Sequence, residues 1–117
     1  PGGNYGWPEQ ECSGSEQFVD PINCYDPAIE PGGIVFYYGD KIKLENSLVL
    51  ASLRASHLFN LEIDEDGVES QTSILSGMGR IRDVAVGPDG YLYLITSNTD
   101  GKGFPDASDD KLLRIVK

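Results

Sequence analysis

Long apolar runs, basic residues and cysteine pairs at metal spacing are what this 117-residue chain lacks, and each absence closes off a class of function. No apolar stretch approaches the roughly 20 residues that span a bilayer, and no signal-like segment stands at the start, so no membrane insertion is expected. Nine Lys and Arg stand against nineteen Asp and Glu, for a net charge of −10. A phosphate backbone or an anionic membrane surface calls for a basic face, so a nucleic-acid partner is excluded. Cysteine is limited to two residues and histidine to one, with no CxxC, which is a poor zinc pattern. The length suffices for one modest domain with a real core, and no second domain is expected.

Scarcity gives the remaining residues of these types positional meaning. Cys12 and Cys24 lie in a region rich in Pro, Ser, Asp and Glu, where a disulfide would close a short loop and act mainly by restricting the unfolded chain. Free thiols are the alternative. A disulfide implies an oxidising compartment, hence an extracellular or periplasmic protein. The opening "PGGNYGWPEQ" has no initiator Met, no charged n-region and no lead-in strand. It reads as a turn in mid-protein, which predicts a fragment or a processed chain. Residues 1–32 hold five of the seven prolines and form a connector loop.

From residue 33 the texture is that of strands. "GGIVFYYGD", "SLVLASL", "HLFNLEI" and "GVESQTSIL" are apolar or alternating stretches punctuated by Gly, Asp and Asn; "RIRDVAV", "YLYLITS" and "KLLRIVK" follow. "ENSLVLASLRASHLFNL" can also be drawn as a helix with Leu50, Leu53 and Leu61 on one face, and periodicity alone leaves both open. A weak repeat pairs "GIVFYY", "SLVLAS" and "HLFNLEI" with "IRDVAV", "YLYLIT" and "KLLRIVK". Self-similar four-stranded meanders predict an all-β chain of antiparallel propeller blades: one blade at 33–76 and most of another at 77–117. The second unit lacks its fourth strand, which would come from elsewhere in the chain.

Two of the four arginines, Arg80 and Arg82, sit one residue apart in "GMGRIRDVAVGPDG". On a strand they project from one face while Ile81 and Asp83 face the other way. Paired guanidiniums make a rigid multidentate clamp for carboxylate or phosphate. They are equally suited to pairing with carboxylates of neighbouring strands.

"GGNYGWP", "PAIEPGGIVFYYGDK", "LVLASLR", "GRIRDVAVGPDGYLYLITSNTDGKG" and "DDKLLRIVK" resemble, in that order, the C-terminal part of the soluble pyrroloquinoline-quinone-dependent sugar dehydrogenases, the aldose or glucose/sorbosone dehydrogenases, which are six-bladed propellers. The resemblance implies oxidation of aldose sugars at the anomeric carbon to lactones, with hydride transfer to the quinone (PQQ), calcium as a second cofactor and an external electron acceptor. It implies that Arg80 and Arg82 contact PQQ. Arg54 takes the place of a basic residue, often Lys in relatives, that also reaches the cofactor. Tyr5 matches a position that helps bind calcium, through its main-chain carbonyl; packing of a tight turn by Tyr5 and Trp7 is the plainer reading. The family's "PSG" corresponds to Pro31, Gly32 and Gly33, with Ser replaced by Gly. The general-base histidine of the family falls upstream of "NYGWP", so no catalytic residue is expected in this segment, which alone should be inactive.

His57 does not match that catalytic position and reads as a structural strand residue. The loop "SNTDGKGFPDASDD" gathers Asn98, Asp100, Asp106, Asp109 and Asp110 but lacks the spacing of a calcium loop, and reads as a solvated acidic loop. "GPDG" reads as a hairpin turn. Phe36, Tyr37 and Tyr38 read as strand aromatics, core on one face and cross-strand on the other. Two alternatives of other classes stand beside the enzyme: a non-catalytic extracellular propeller that binds protein or glycan, and an inactive fragment that self-associates through unpaired strand edges.

Overall fold

The computed structural model of the protein describes residues 2–44 and 46–116. Pro1 and Lys117, the outer ends of the stretches expected at either terminus, lie outside the described residues. The chain is all-β, with seven strands: β1 (Pro31–Tyr37), β2 (Ser47–Ser52), β3 (His57–Ile63), β4 (Val68–Ser76), β5 (Ile81–Val86), β6 (Leu92–Thr96) and β7 (Leu112–Ile115). They form two antiparallel meanders, a four-stranded sheet in the order β1-β2-β3-β4 and a three-stranded sheet in the order β5-β6-β7. The repeat in the sequence is therefore a repeat of sheets, with β1, β2 and β3 matched by β5, β6 and β7.

The helix drawn through residues 45–61 is not formed among the described residues; β2 and β3 make a hairpin there. The reason is that β2 is a central strand, with neighbours on both edges and almost every side chain buried, so its apolar run is continuous instead of alternating. The connection is fixed from outside. Leu53 N–H donates to Glu30 O at 3.0 Å, Arg54 N–H to Ile29 O at 3.0 Å, and Ser52 Oγ to the same Ile29 oxygen at 2.7 Å.

The core lies between the two sheets, where β5 packs on β1 and β2. Val49, Leu58, Ile81, Leu92 and Leu94 are essentially sealed from solvent, each contributing about 1.5–3 kcal/mol of burial. Tyr37 is the buried aromatic of its cluster. Its hydroxyl donates to Gly90 O at 2.9 Å and accepts the Lys41 and Ile42 N–H groups, tying the end of one sheet to the turn of the other. Ile34, Phe36 and Tyr38 point outward. "GPDG" is the β5–β6 turn: Gly90 has φ +82° and its N–H donates to Gly87 O at 3.0 Å.

Bulges occur in both leading strands, and the two meet. In β1 the register steps from Pro31↔Ser52 to Ile34↔Leu50, and in β5 from Ile81↔Thr96 to Asp83↔Ile95, leaving Arg82 as an extra residue. A Cβ on Gly32 would collide with the Arg82 carbonyl oxygen, and one on Gly33 with Asp83 Oδ1. Glycine is there because the strands approach that closely. The bulge also corrects the expected alternation: Ile81 and Val84 face the core, whereas Asp83 is exposed.

Candidate functional site

The residue before β5 starts is Arg80, only 8% exposed and placed by its neighbours' backbone. Its N–H donates to Asn98 Oδ1 at 2.8 Å, Asn98 Nδ2 donates to Met78 O at 3.0 Å, and Ser97 N–H donates to Arg80 O at 2.8 Å. Gly79 has φ +76° and no room for a Cβ against the Asn98 amide. Two residues just past the end of β6 thus clamp the backbone that carries the arginine.

The guanidinium is held by two carboxylates from distant parts of the chain. Arg80 Nε donates to Asp100 Oδ2 at 2.9 Å, and Arg80 Nη2 to Glu30 Oε2 at 3.1 Å. Arg82 Nη2 lies 3.5 Å from the same Asp100 oxygen, so the two arginines converge on one carboxylate. They do so through the bulge and not through the same-face strand alternation expected, since Arg80 precedes β5 and is buried whereas Arg82 is half exposed. Lys102 Nζ lies 3.6 Å from Glu30 Oε1, and the Lys102 N–H donates to Asp100 Oδ1 at 2.9 Å. Glu30 itself has φ +50°, a conformation held by its carbonyl's bond from Leu53.

These contacts set the charges. The Arg80 hydrogen bond holds the Glu30 carboxyl below its ordinary range. The Lys102 N–H, and then Arg80, do the same for Asp100. Burial alone would lower the Arg80 value, but the bonds to Asp100 and Glu30 outweigh it and the net shift is upward. All three groups are fully charged near neutrality.

Arg54 comes to the same place from the β2–β3 connection. It lines, with Leu53, Ser56, Arg80, Asn98 and Lys102, an open cleft of about 240 Å³ at whose rim Phe104 stands almost wholly exposed. The Arg54 guanidinium is exposed and makes no ion pair among the described residues. Arg80, Arg82 and Lys102 pair with Glu30 and Asp100, and Arg54 lines the cleft beside Arg80 and Lys102, so four positive charges stand near two negative. In a chain of net charge −10 that local surplus of two fits a polyanionic ligand.

Other expected site residues lie elsewhere. Tyr5, half exposed, lines a separate concavity with Trp7, Cys12 and Cys24, and the two cysteines are joined as a disulfide. Among the described residues no three His, Cys, Asp or Glu side chains are grouped to hold a metal. His57 stacks on Phe59 with ring centroids 5.2 Å apart, its Nδ1 2.7 Å from Ser73 Oγ.

The loop between β6 and β7 is largely exposed, as expected of a solvated acidic loop, but its carboxylates are not free. Its carboxylates are committed: Asp100 to the arginines, Asp110 to Thr96, Thr99 and the Asn98 N–H, and Asp106 and Asp109 to Lys111. Glu30 is the site residue that sequence reasoning passed over, and no local signal marks it. Asn98 and Asp100 were named only as members of the acidic loop, which the family resemblance puts near the cofactor end of the last blade, and not as partners of the arginines.

The family model "Glucose / Sorbosone dehydrogenase" matches residues 1–114. Among solved structures, the chain is similar to a candidate oxidoreductase (glucose dehydrogenase) of Thermus thermophilus, with 39% identity, a TM-score of 0.86, and coverage of 97% of this chain and 34% of that one. It is similar to the PQQ-bound aldose sugar dehydrogenase of Streptomyces coelicolor at 35% identity and a TM-score of 0.79, covering 97% and 33%. A curated relative is the aldose sugar dehydrogenase YliI of Escherichia coli, 30% identical over 120 residues, 86% of this chain and 32% of that protein. The chain spans about a third of the length of such relatives.

Proposed function

The chain belongs to the glucose/sorbosone dehydrogenase family, and from that premise we propose that it supplies about two blades of a six-bladed propeller in a secreted, PQQ-dependent dehydrogenase that oxidises aldoses at the anomeric carbon to lactones. The observation that carries this reading is the cleft lined by Arg54, Arg80 and Lys102, beside which Arg82 shares Asp100 with Arg80, so that four cations outnumber the carboxylates Glu30 and Asp100. When bound, the quinone supplies the hydride acceptor, from which electrons pass to an external acceptor.

The residues of this chain do the holding. Arg80 and Arg82 would hold a planar tricarboxylate and polarise it, and Arg54 would assist from the opposite hairpin. Arg54 brings a planar fork where relatives often have a Lys point charge, which alters the contact without removing the cation. The proton released with the hydride needs a base, and the cleft offers none among the described residues. Glu30 and Asp100 are ion-paired and held below their ordinary range, hence weak bases, and His57 is engaged with Ser73. In this proposal the base is supplied from outside this segment, and the segment alone is inactive. Calcium enters the proposal only through the main-chain carbonyl of Tyr5, as one oxygen of a site completed elsewhere. Secretion is supported by the Cys12–Cys24 disulfide.

The test is dye-coupled oxidation of an aldose panel by the full-length protein reconstituted with PQQ and calcium, beside the double variant Arg80→Ala, Arg82→Ala. Cofactor-dependent activity that collapses in the variant is expected; a well-folded protein that binds no quinone overturns the reading. One observation favours self-association of the isolated chain: β7 is the edge of its sheet, with Leu112 70% exposed. A sedimentation mass equal to one chain would refute that.

A further inference from the structure

Asp100 stands between the two guanidiniums. Its Oδ2 accepts from Arg80 Nε at 2.9 Å and lies 3.5 Å from Arg82 Nη2, and its Oδ1 is fixed by the Lys102 N–H at 2.9 Å. The Asp100 side chain is about four-fifths buried, whereas half of the Arg82 side chain is in solvent. Arg80 has a second anchor in Glu30; among the described residues Arg82 is ion-paired to Asp100 alone. An exposed arginine on a bulge samples many rotamers unless its head group is pinned. Removing Asp100 would leave Arg80 tied to Glu30 and set Arg82 loose.

We infer that Asp100 is a positioning residue that joins Arg80 and Arg82 into one fork of fixed spacing, ready for a polycarboxylate ligand, and is not merely a counterion competing with that ligand. The inference rests on the function proposed above and adds to it the residue that pre-forms the clamp.

The two roles give opposite signs. A carboxylate beside an anion site repels the anion, so on charge alone neutralising Asp100 raises the surplus from two to three and tightens binding. A positioning role predicts the reverse: the ligand must then order Arg82 itself, and its affinity falls. Salt helps to separate them, because the exposed charge effect is screened while the ordering cost is not.

The experiment is an absorbance or fluorescence titration of PQQ, with calcium present, into the full-length protein as wild type, Asp100→Asn, Asp100→Glu and Asp106→Asn, at low and at high salt. Asp106→Asn makes the same charge change on the exposed side of the loop, beside Lys111. Circular dichroism melting checks the fold, and Asp100→Glu, which keeps the charge and moves it by one methylene, decides the matter if Asp100→Asn melts early. The expected result is binding weaker by about tenfold in both Asp100 variants, persisting at high salt, with Asp106→Asn unchanged. Equal or tighter binding in Asp100→Asn, or an unaltered Asp100→Glu, overturns the inference and leaves the proposed function standing. Failure of the wild type to bind PQQ overturns both.

Discussion

Replacing Asn98 by Ala tests how Arg80 is placed without touching a charge. Asn98 is 4% exposed, and its amide satisfies two backbone groups at once, the Arg80 N–H at 2.8 Å and the Met78 carbonyl at 3.0 Å. Alanine removes both bonds and leaves a donor and an acceptor facing a small void. Each lost bond is worth about 1 kcal/mol net, and a buried group left unpaired adds to that, so a loss of about 2–4 kcal/mol is expected. Water reaching the void would bring the figure to the lower end. Asn98→Asp separates the two bonds: its oxygen still accepts from Arg80, but an ionised carboxylate cannot donate to Met78 O and repels it. That variant should recover stability as acid protonates the new carboxyl. Chemical unfolding gives the global effect, and hydrogen exchange on a peptide spanning residues 78–84 gives the local one, since the Arg80 amide loses its acceptor. Asn98→Ala within about 0.5 kcal/mol of wild type, with unaltered exchange, would refute the account, because substitutions of that size belong to surface positions.

Acid should unlock the site. Glu30 and Asp100 are depressed below their ordinary values of 4.5 and 3.8, so the unfolded chain takes up protons first. Their contribution is complete above those values and is lost as pH falls from 4.5 downward through the depressed ones. Arg80→Met, which removes the shared partner, should flatten the dependence of urea midpoints on pH below 4.5; an identical slope in both proteins would count against the pairing. Leu58→Ala empties a fully sealed core position and is expected to cost about 2–5 kcal/mol in equilibrium unfolding, a loss below about 1 contradicting the core assignment. Gly32→Ala drives a methyl into the Arg82 carbonyl, with an expected cost of about 1–3 kcal/mol and a weakened hold on PQQ in the full-length protein. A neutral Gly32→Ala would mean that the two bulges can separate freely.

The strands outside residues 45–61 were legible because local chemistry decides them. "YLYLITS" and "RIRDVAV" carry β-branched and aromatic residues around a turn whose Gly90 adopts positive φ, and nothing distant alters that outcome. β2 was not legible in the same way. A Leu- and Ala-rich run buried on both faces shows neither a strand's alternation nor a clean helical stripe, and only its position between β1 and β3 makes it a strand. The bulge at Arg82 was hidden for a similar reason. It exists because β1 approaches so closely that Gly32 and Gly33 face Arg82 and Asp83, a contact between segments about 50 residues apart.

The site divides along the same line. Adjacent arginines are a local signal and were read; their partners are not, since Glu30 is 50 residues from Arg80 in sequence and Asp100 is 20. Sequence reasoning posed ion pairing and ligand binding as alternatives for these arginines, and the geometry removes the opposition. A buried guanidinium without a carboxylate would be too costly to keep, so some pairing is required for Arg80 to be there at all. What distinguishes a binding cleft from a plain ion-pair network is the count that remains afterwards. Arg54 is unpaired among the described residues, Arg82 is half exposed on one shared oxygen, and two positive charges are left over. The carboxylates fix the geometry, and the surplus cations define what that geometry can hold.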